Sequence, residues 1–230
     1  MHESLTQFAG AERILWRLLE AKGIDPGPIY ARAGIDASLL REQRTRVGVR
    51  QVDLVWREAL TLLDAPCIAI EFPKYWRPGD FSALDHAWLA ASTLERALRA
   101  LVRYMEIVDQ SGRLFLERHD DGLALCGAPS RFGLKDYAVL REGFIAVITH
   151  MARLIAGTGL APLEVTLRTP ESVCTQSYER WFGCRVRFSA PSDCIRFHQR
   201  DLTRPLDAHP AVGIAIDRIL SRELARLRTG

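Results

Sequence analysis

The hydrophobic period of this chain changes at Gly112, and that change limits the folds open to it. Before Gly112, apolar residues recur every three or four positions. After it, short segments alternate every second position around one long, apolar helical stretch. Helices first and strands later, without regular alternation, place the chain in the α+β class.

The helical half can be read in detail. Ile14, Leu15, Leu18 and Leu19 form a stripe closed by Gly23 and Pro26, and a short helix spans Pro28 to Gly34. Asp36 caps a turn carrying Leu39 and Leu40. Apolar residues at 52, 55, 56, 59, 60 and 63 mark a helix over 49–63, another falls within 80–91, and Thr93 caps a helix over 94–108. Beyond Gly112, the runs 113–118 and 123–126 flank Asp121-Gly122, which reads as a hairpin turn using a positive φ. A long helix spans about 133–156, stopped by Gly157 and Gly159. Strands at 163–168, 185–188 and 194–197 place Val165, Leu167, Val186, Phe188, Ile195 and Phe197 on one face. A short helix spans about 171–182, and 209–228 is helical again. The expectation is a helical N-terminal half packed with a four- to five-stranded antiparallel sheet, its two hairpins separated by a long covering helix. The halves 1–110 and 111–208 and the helix 209–230 share one domain, 1–230, with no repeat or Gly/Ser linker between them.

Composition narrows the class. With 48% apolar and 26% charged residues the chain can bury a core, so general disorder is excluded. A net charge of +3 is too slight to mark a nucleic-acid binder. No stretch reaches the roughly 18 apolar residues of a membrane span, and the start lacks the basic and apolar pattern of a secretory signal. The five cysteines are odd in number and contain no Cys-x-x-Cys, so the expectation is reduced, mostly buried thiols in a cytoplasmic protein. Cys184 and Cys194 are the pair placed to face each other across two strands.

Motifs for catalysis are missing. The six histidines show no metal-ligand spacing, and there is no Gly-x-Ser-x-Gly, phosphate loop or dinucleotide fingerprint. Asp85-His86 are adjacent on a helix and diverge by about 100°, so they do not form a natural dyad. No catalytic residue, metal or cofactor is assigned. His150, among Ile148, Met151 and Leu154, is either a packed histidine or a ligand-orienting group. Tyr75, Trp76 and Arg77 lie between prolines in the segment Phe72–Phe81. That segment either closes one side of a small-molecule pocket by stacking and charge-assisted hydrogen bonds, or is a packed connection with Asp80 capping the next helix.

Several stretches, in order, resemble one family. They are Leu18-Leu19-Glu20-Ala21-Lys22-Gly23-Ile24-Asp25; Arg77-Pro78-Gly79-Asp80-Phe81 with Leu89–Leu94, Ala97-Leu98 and Arg103-Tyr104; Trp181–Phe188; and Asp201–Leu206. Together they resemble the effector-binding, arabinose-binding-type N-terminal domain of AraC-type transcriptional regulators, over about 15–210. The resemblance implies a bacterial sensor domain that binds a small molecule and dimerises. DNA binding in such regulators belongs to a C-terminal pair of helix-turn-helix motifs, which this chain lacks. It therefore reads either as a sensor domain taken from a longer regulator or as a free-standing relative.

On this reading the pocket lies between the sheet, the long helix and the 72–81 segment. Tyr75, Trp76 and Arg77 stand at its mouth, with Tyr104, Glu142 and His150 deeper. Arg77, Arg103 and Arg141 lean toward an anionic effector. The stripe Val212, Ile216, Ile219, Leu220, Leu224 and Leu227 of the last helix either pairs with a second copy, making a homodimer, or folds back on its own domain. Two other classes stay open. One is a small enzyme built around Asp85, His86 or His150, and the other is a ligand-free interaction module.

Overall fold

The computed structural model describes residues 5–42, 45–63, 65–128 and 137–229. Its first half carries α1 (Glu12–Ala21), α2 (Gly27–Arg32), α3 (Val49–Leu62), α4 (Ala83–Leu89) and α5 (Leu94–Val108), with 3-10 turns at Ala37–Arg41 and Ile68–Lys74. One 3-10 turn and α5 start where short polar side chains take up orphan amide protons. Asp36 accepts from the Ser38 amide at 2.8 Å, and Thr93 Oγ1 accepts from that of Arg96 at 3.2 Å. The sequence did not reveal a small ribbon in this half, in which β1 (Thr6–Phe8) pairs antiparallel with β2 (Arg46–Gly48).

The second half carries β3 (Arg113–His119), β4 (Gly122–Ala128), α6 (Ala138–Ala156), β5 (Glu164–Thr166), α7 (Thr175–Phe182), β6 (Val186–Arg187), β7 (Asp193–His198), α8 (Gln199–Thr203) and α9 (Pro210–Thr229). The expected start of α6 at 133–136 lies outside the described residues. The strands form a five-stranded sheet of order β3-β4-β7-β5-β6. Leu125 is registered with Ile195, and Ile195 with Val165, so alternate residues of three strands bury one face. Val165, Leu167, Val186, Ile195 and Phe197 are all buried, and Phe188 is half-buried.

The five-stranded sheet departs from the expected all-antiparallel pairing at one place. β5 and β6 pair in parallel, and β7 pairs with β4 and β5, so no second hairpin forms. The physical reason is α7, which carries the chain back over the sheet between β5 and β6, as a parallel pair requires.

The β3–β4 hairpin forms, but Gly122 serves another purpose than the expected one. Its φ is not positive, and the turn residues are Asp120 and Asp121. A Cβ at Gly122 would lie 1.9 Å from the Phe197 carbonyl oxygen, so the glycine allows β7 to approach closely.

The cysteine expectation is corrected too. Cys67 is bonded to Cys174 and Cys126 to Cys194, leaving Cys184 free. Cys126 and Cys194 are direct partners on β4 and β7, whereas Cys67 and Cys174 meet only because the 68–74 turn and α7 both abut α6.

α6 is apolar around most of its circumference because it is covered twice, by β7 and by the 68–74 turn. At Gly143 that turn comes so close that a Cβ would lie 2.4 Å from the Phe72 ring. One contiguous buried core runs from Ala9 and Leu15 through α3, α5 and α6 to Phe197 and Leu220.

Candidate functional site

Where the sheet, α6 and the ends of the 72–81 segment meet, the core opens into a cavity of about 200 Å³. Its wall is assembled from both halves of the chain. Ile14 and Trp56 come from α1 and α3, Met105 and Val108 from the end of α5, and Leu125 and Ile195 from the sheet. Along α6, Leu140, Arg141, Gly143, Phe144, Ile145, Val147 and Ile148 line it, and Phe72 and Phe81 close it from the connecting segment. Two tilted aromatic pairs flank the space, Trp56–Phe72 with centroids 5.7 Å apart and Phe81–Phe144 at 6.4 Å.

Arg113 reaches the wall as an exposed side chain, while the more buried polar side chains there bond to other protein groups. Gln7 Nε2 donates to Glu12 Oε1 at 2.7 Å, with the Trp56 and Tyr30 side chains also directed at that buried carboxylate. Ser111 Oγ donates to Asp109 Oδ1 at 2.6 Å. Arg141 Nε donates to Asp193 Oδ2 at 2.8 Å, and the other Asp193 oxygen accepts the Arg168 amide at 2.8 Å.

The residues singled out from sequence lie around this cavity rather than along its wall. Tyr75 is half-buried and Arg77 exposed, beyond the 68–74 turn. Trp76 is buried and meets His150 edge-on with centroids 5.9 Å apart. Burial, with some help from nearby Arg153, holds the His150 imidazole below its ordinary pKa.

Glu142 is buried between α6 and α7, where Thr169 Oγ1 donates to it at 2.5 Å and the Tyr178 hydroxyl donates to its other oxygen. Burial, reinforced by that carboxylate, pushes the Tyr178 phenol strongly up. Tyr104 faces α9, donating to Asp217 Oδ1 at 2.5 Å beside Ser221 Oγ at 2.9 Å. Of the three arginines invoked for an anionic effector, Arg141 reaches the wall, where it is paired with Asp193, while Arg103 faces Asp217 on α9. Some wall residues that the sequence reading missed, such as Met105, Gly143 and Ile148, lie close in sequence to those it named, whereas Ile14, Trp56, Leu125 and Ile195 come from distant elements. A lone Gly143 among bulky helical residues, and phenylalanines at both ends of the 72–81 segment, were the available signals.

The 72–81 segment is a packed connection braced by two carboxylates. Both Asp80 oxygens accept from Arg17 Nη2, at 2.6 and 2.7 Å, and Oδ2 also accepts the Arg77 amide at 2.7 Å, so Asp80 does not cap α4. Asp85 Oδ2 accepts the amides of Gly79 and Phe81, each at 2.9 Å, and so fixes the ring of Phe81 in the cavity wall. Burial raises the Asp85 carboxyl to about 7 despite those amides. His86 is exposed while Asp85 is buried, so the two form no acid–base pair.

α9 divides the stripe read from sequence. Leu220 and Leu224 are buried on the chain's own α4–α5 surface, and Arg228 Nη2 lies 2.7 Å from Glu106, whereas Val212 and Ile219 remain about half exposed. Among the described residues, no helix is long and apolar enough to cross a membrane, and no group of three or more His, Cys, Asp or Glu could hold a metal ion.

Comparison with known proteins agrees with this architecture. The crystal structure of the transcriptional regulator CdpR from Pseudomonas aeruginosa superposes with a TM-score of 0.60 over 91% of this chain and 65% of that one, at 16% identity. That likeness establishes a shared fold, and the chain spans less than two thirds of the CdpR chain. No curated protein matches the sequence. Residues 23–206 match the family described as the arabinose-binding domain of AraC transcription regulator, N-terminal. The chain therefore belongs to the family of AraC-type arabinose-binding N-terminal domains.

Proposed function

We propose that this chain is the effector-binding domain of a cytoplasmic AraC-type transcriptional regulator, that it is not an enzyme, and that the cavity beneath α6 is the effector site. The observation that carries the proposal is the cavity's construction. Its wall joins residues of α1, α3 and α5 to residues of the sheet and α6, so an occupant touches both halves at once. A molecule that binds one arrangement of those halves better than another shifts their population by its differential affinity. In the full regulator the response is passed to a DNA-binding region through the end of the chain. α9 is suited to that, because α5 contributes Met105 and Val108 to the wall and Tyr104 to the α9 contact. The half-exposed edge of Val212 and Ile219 on α9 is the surface assigned to homodimerisation.

A thermal-shift screen against sugars, amino acids, fatty acids and aromatic acids tests the reading. A ligand at a hundred times its Kd stabilises by roughly 2.7 kcal/mol, a rise of several degrees for a domain of this size. One responding chemical class supports the proposal. No response in any class, from a protein that melts cooperatively, leaves an interaction module in its place. Sedimentation of the wild type and of Ile219→Glu tests the α9 edge: the wild type runs as a dimer and the variant as a monomer.

A further inference from the structure

We infer that the effector is a compact apolar molecule built on a single aromatic ring, and not a sugar, whatever the family description suggests. This inference rests on the reading of the cavity as the effector site.

Size comes first. A dry apolar cavity of about 150 Å³ takes a benzene ring, and the cavity here is about 200 Å³. It accommodates one ring with a short substituent.

Chemistry comes second. Ile14, Leu125, Ile145, Val147, Ile148 and Ile195 contribute aliphatic wall, and the pairs Trp56–Phe72 and Phe81–Phe144 contribute aromatic faces and edges on which a ring packs at offset or edge-on geometry.

The polar part of the wall decides against a polyol. Gln7 is bonded to Glu12, Ser111 to Asp109, and Arg141 to Asp193, whose second oxygen holds the Arg168 amide. A pentose entering this space gives up the hydration of each hydroxyl and, apart from the exposed Arg113, meets polar side chains already bonded to one another. A buried hydroxyl without a partner carries a substantial cost, and several together outweigh the burial of a sugar's small apolar faces. A ring with at most one polar substituent escapes that cost. The substituent would lie toward Arg141 and Asp193, the cation and anion whose pairing forms part of the wall.

The test uses the 230-residue chain with toluene and 4-methylphenol as apolar probes, L-arabinose as the polyol, and melting temperature and tryptophan fluorescence as readouts. Trp56 is in the wall, so its emission changes when the cavity fills, and Trp56→Phe removes that part of the fluorescence response. Saturable stabilisation by the aromatic probes of ~5–10 °C at a hundred times Kd, abolished in Ile148→Phe or, if that variant does not fold, in Leu125→Phe, supports the inference. Stabilisation by L-arabinose but not by the aromatics, removed by the same filling variants, overturns the ligand class and leaves the cavity as effector site. If neither probe set shifts the wild type and the filling variants melt higher than it, the space is a packing void, and both the class and the underlying reading fall.

Discussion

Replacing Asp85 by asparagine separates a buried charge from the loop it organises, and its consequence can be worked out from the structure. Asp85 is fully buried, and its Oδ2 accepts the Gly79 and Phe81 amides at 2.9 Å. Burial dominates over those two amides, the nearby negative charge of Asp80 adds to it, and the Trp76 indole N–H opposes it. The net result raises the carboxyl from 3.8 to about 7. The folded chain therefore holds this proton more tightly than the unfolded chain does. Stability contributed by the protonated form is fully present below about pH 4 and is lost as pH rises to about 7, since only the folded state binds the proton in that window. About three pKa units correspond to ~4 kcal/mol across the window, and to roughly 2–3 kcal/mol between pH 5 and pH 7. An asparagine keeps an acceptor for both amides and has no charge to desolvate. Urea unfolding of the wild type and Asp85→Asn at pH 5, 6, 7 and 8 should show the wild type losing that amount relative to the variant as pH rises, with equal m-values. Asp85→Ala, which removes the acceptor, should be destabilised at every pH. Parallel pH profiles for wild type and Asp85→Asn would refute the reasoning.

Other expectations follow from packing and cross-links. Gly122→Ala forces a methyl against the Phe197 carbonyl and should cost about 2–3 kcal/mol in chemical denaturation; an unchanged midpoint would contradict the close approach of β4 and β7. Tyr178→Phe removes a donor to the buried Glu142 carboxylate and should cost ~1.5–3 kcal/mol at pH 7, a loss that Thr169 alone does not make good. Thiol titration of the unfolded, unreduced chain should count one group, Cys184; a count of five would contradict both pairings. Reduction should lower the melting temperature by on the order of 10 °C, because the Cys67–Cys174 bond closes a loop with a sequence separation of 107 residues, worth ~4–5 kcal/mol of chain entropy.

Legibility in the sequence followed the range of the interactions. Asp36, Thr93 and Gly157 mark helix ends by local backbone chemistry, and each acts where the pattern places it. The long-range facts were hidden. Strands as short as Thr6–Phe8 and Arg46–Gly48 carry too few residues to show a period. The parallel β5–β6 pair depends on how α7 crosses the sheet, and Cys67 finds Cys174 only after two distant elements settle against α6.

The cavity shows the same division. Sequence reasoning found the elements that enclose it but chose the polar and conspicuous aromatic residues, Tyr75, Trp76, Arg77, Tyr104, Glu142 and His150. Apart from Arg141, which the sequence reading had placed near the pocket, the wall is made largely of plain apolar residues and glycine, among them Phe72, Phe81, Gly143 and Ile148. Bonding explains the difference. Tyr104 and Glu142 have their hydrogen-bonding capacity taken up by α9 and α7, and Trp76 and His150 pack on each other.

The most direct test of the central claim is methyl NMR of the isoleucines during titration with a compound that stabilises the chain. Ile14, Ile145, Ile148 and Ile195 line the cavity, while Ile29 and Ile35, buried elsewhere in the core, do not. Saturable shifts concentrated in the first set, with the second largely unmoved, are the result expected if the cavity is the effector site. Shifts concentrated at Ile219 or spread over surface methyls, with the cavity set unmoved, would contradict it.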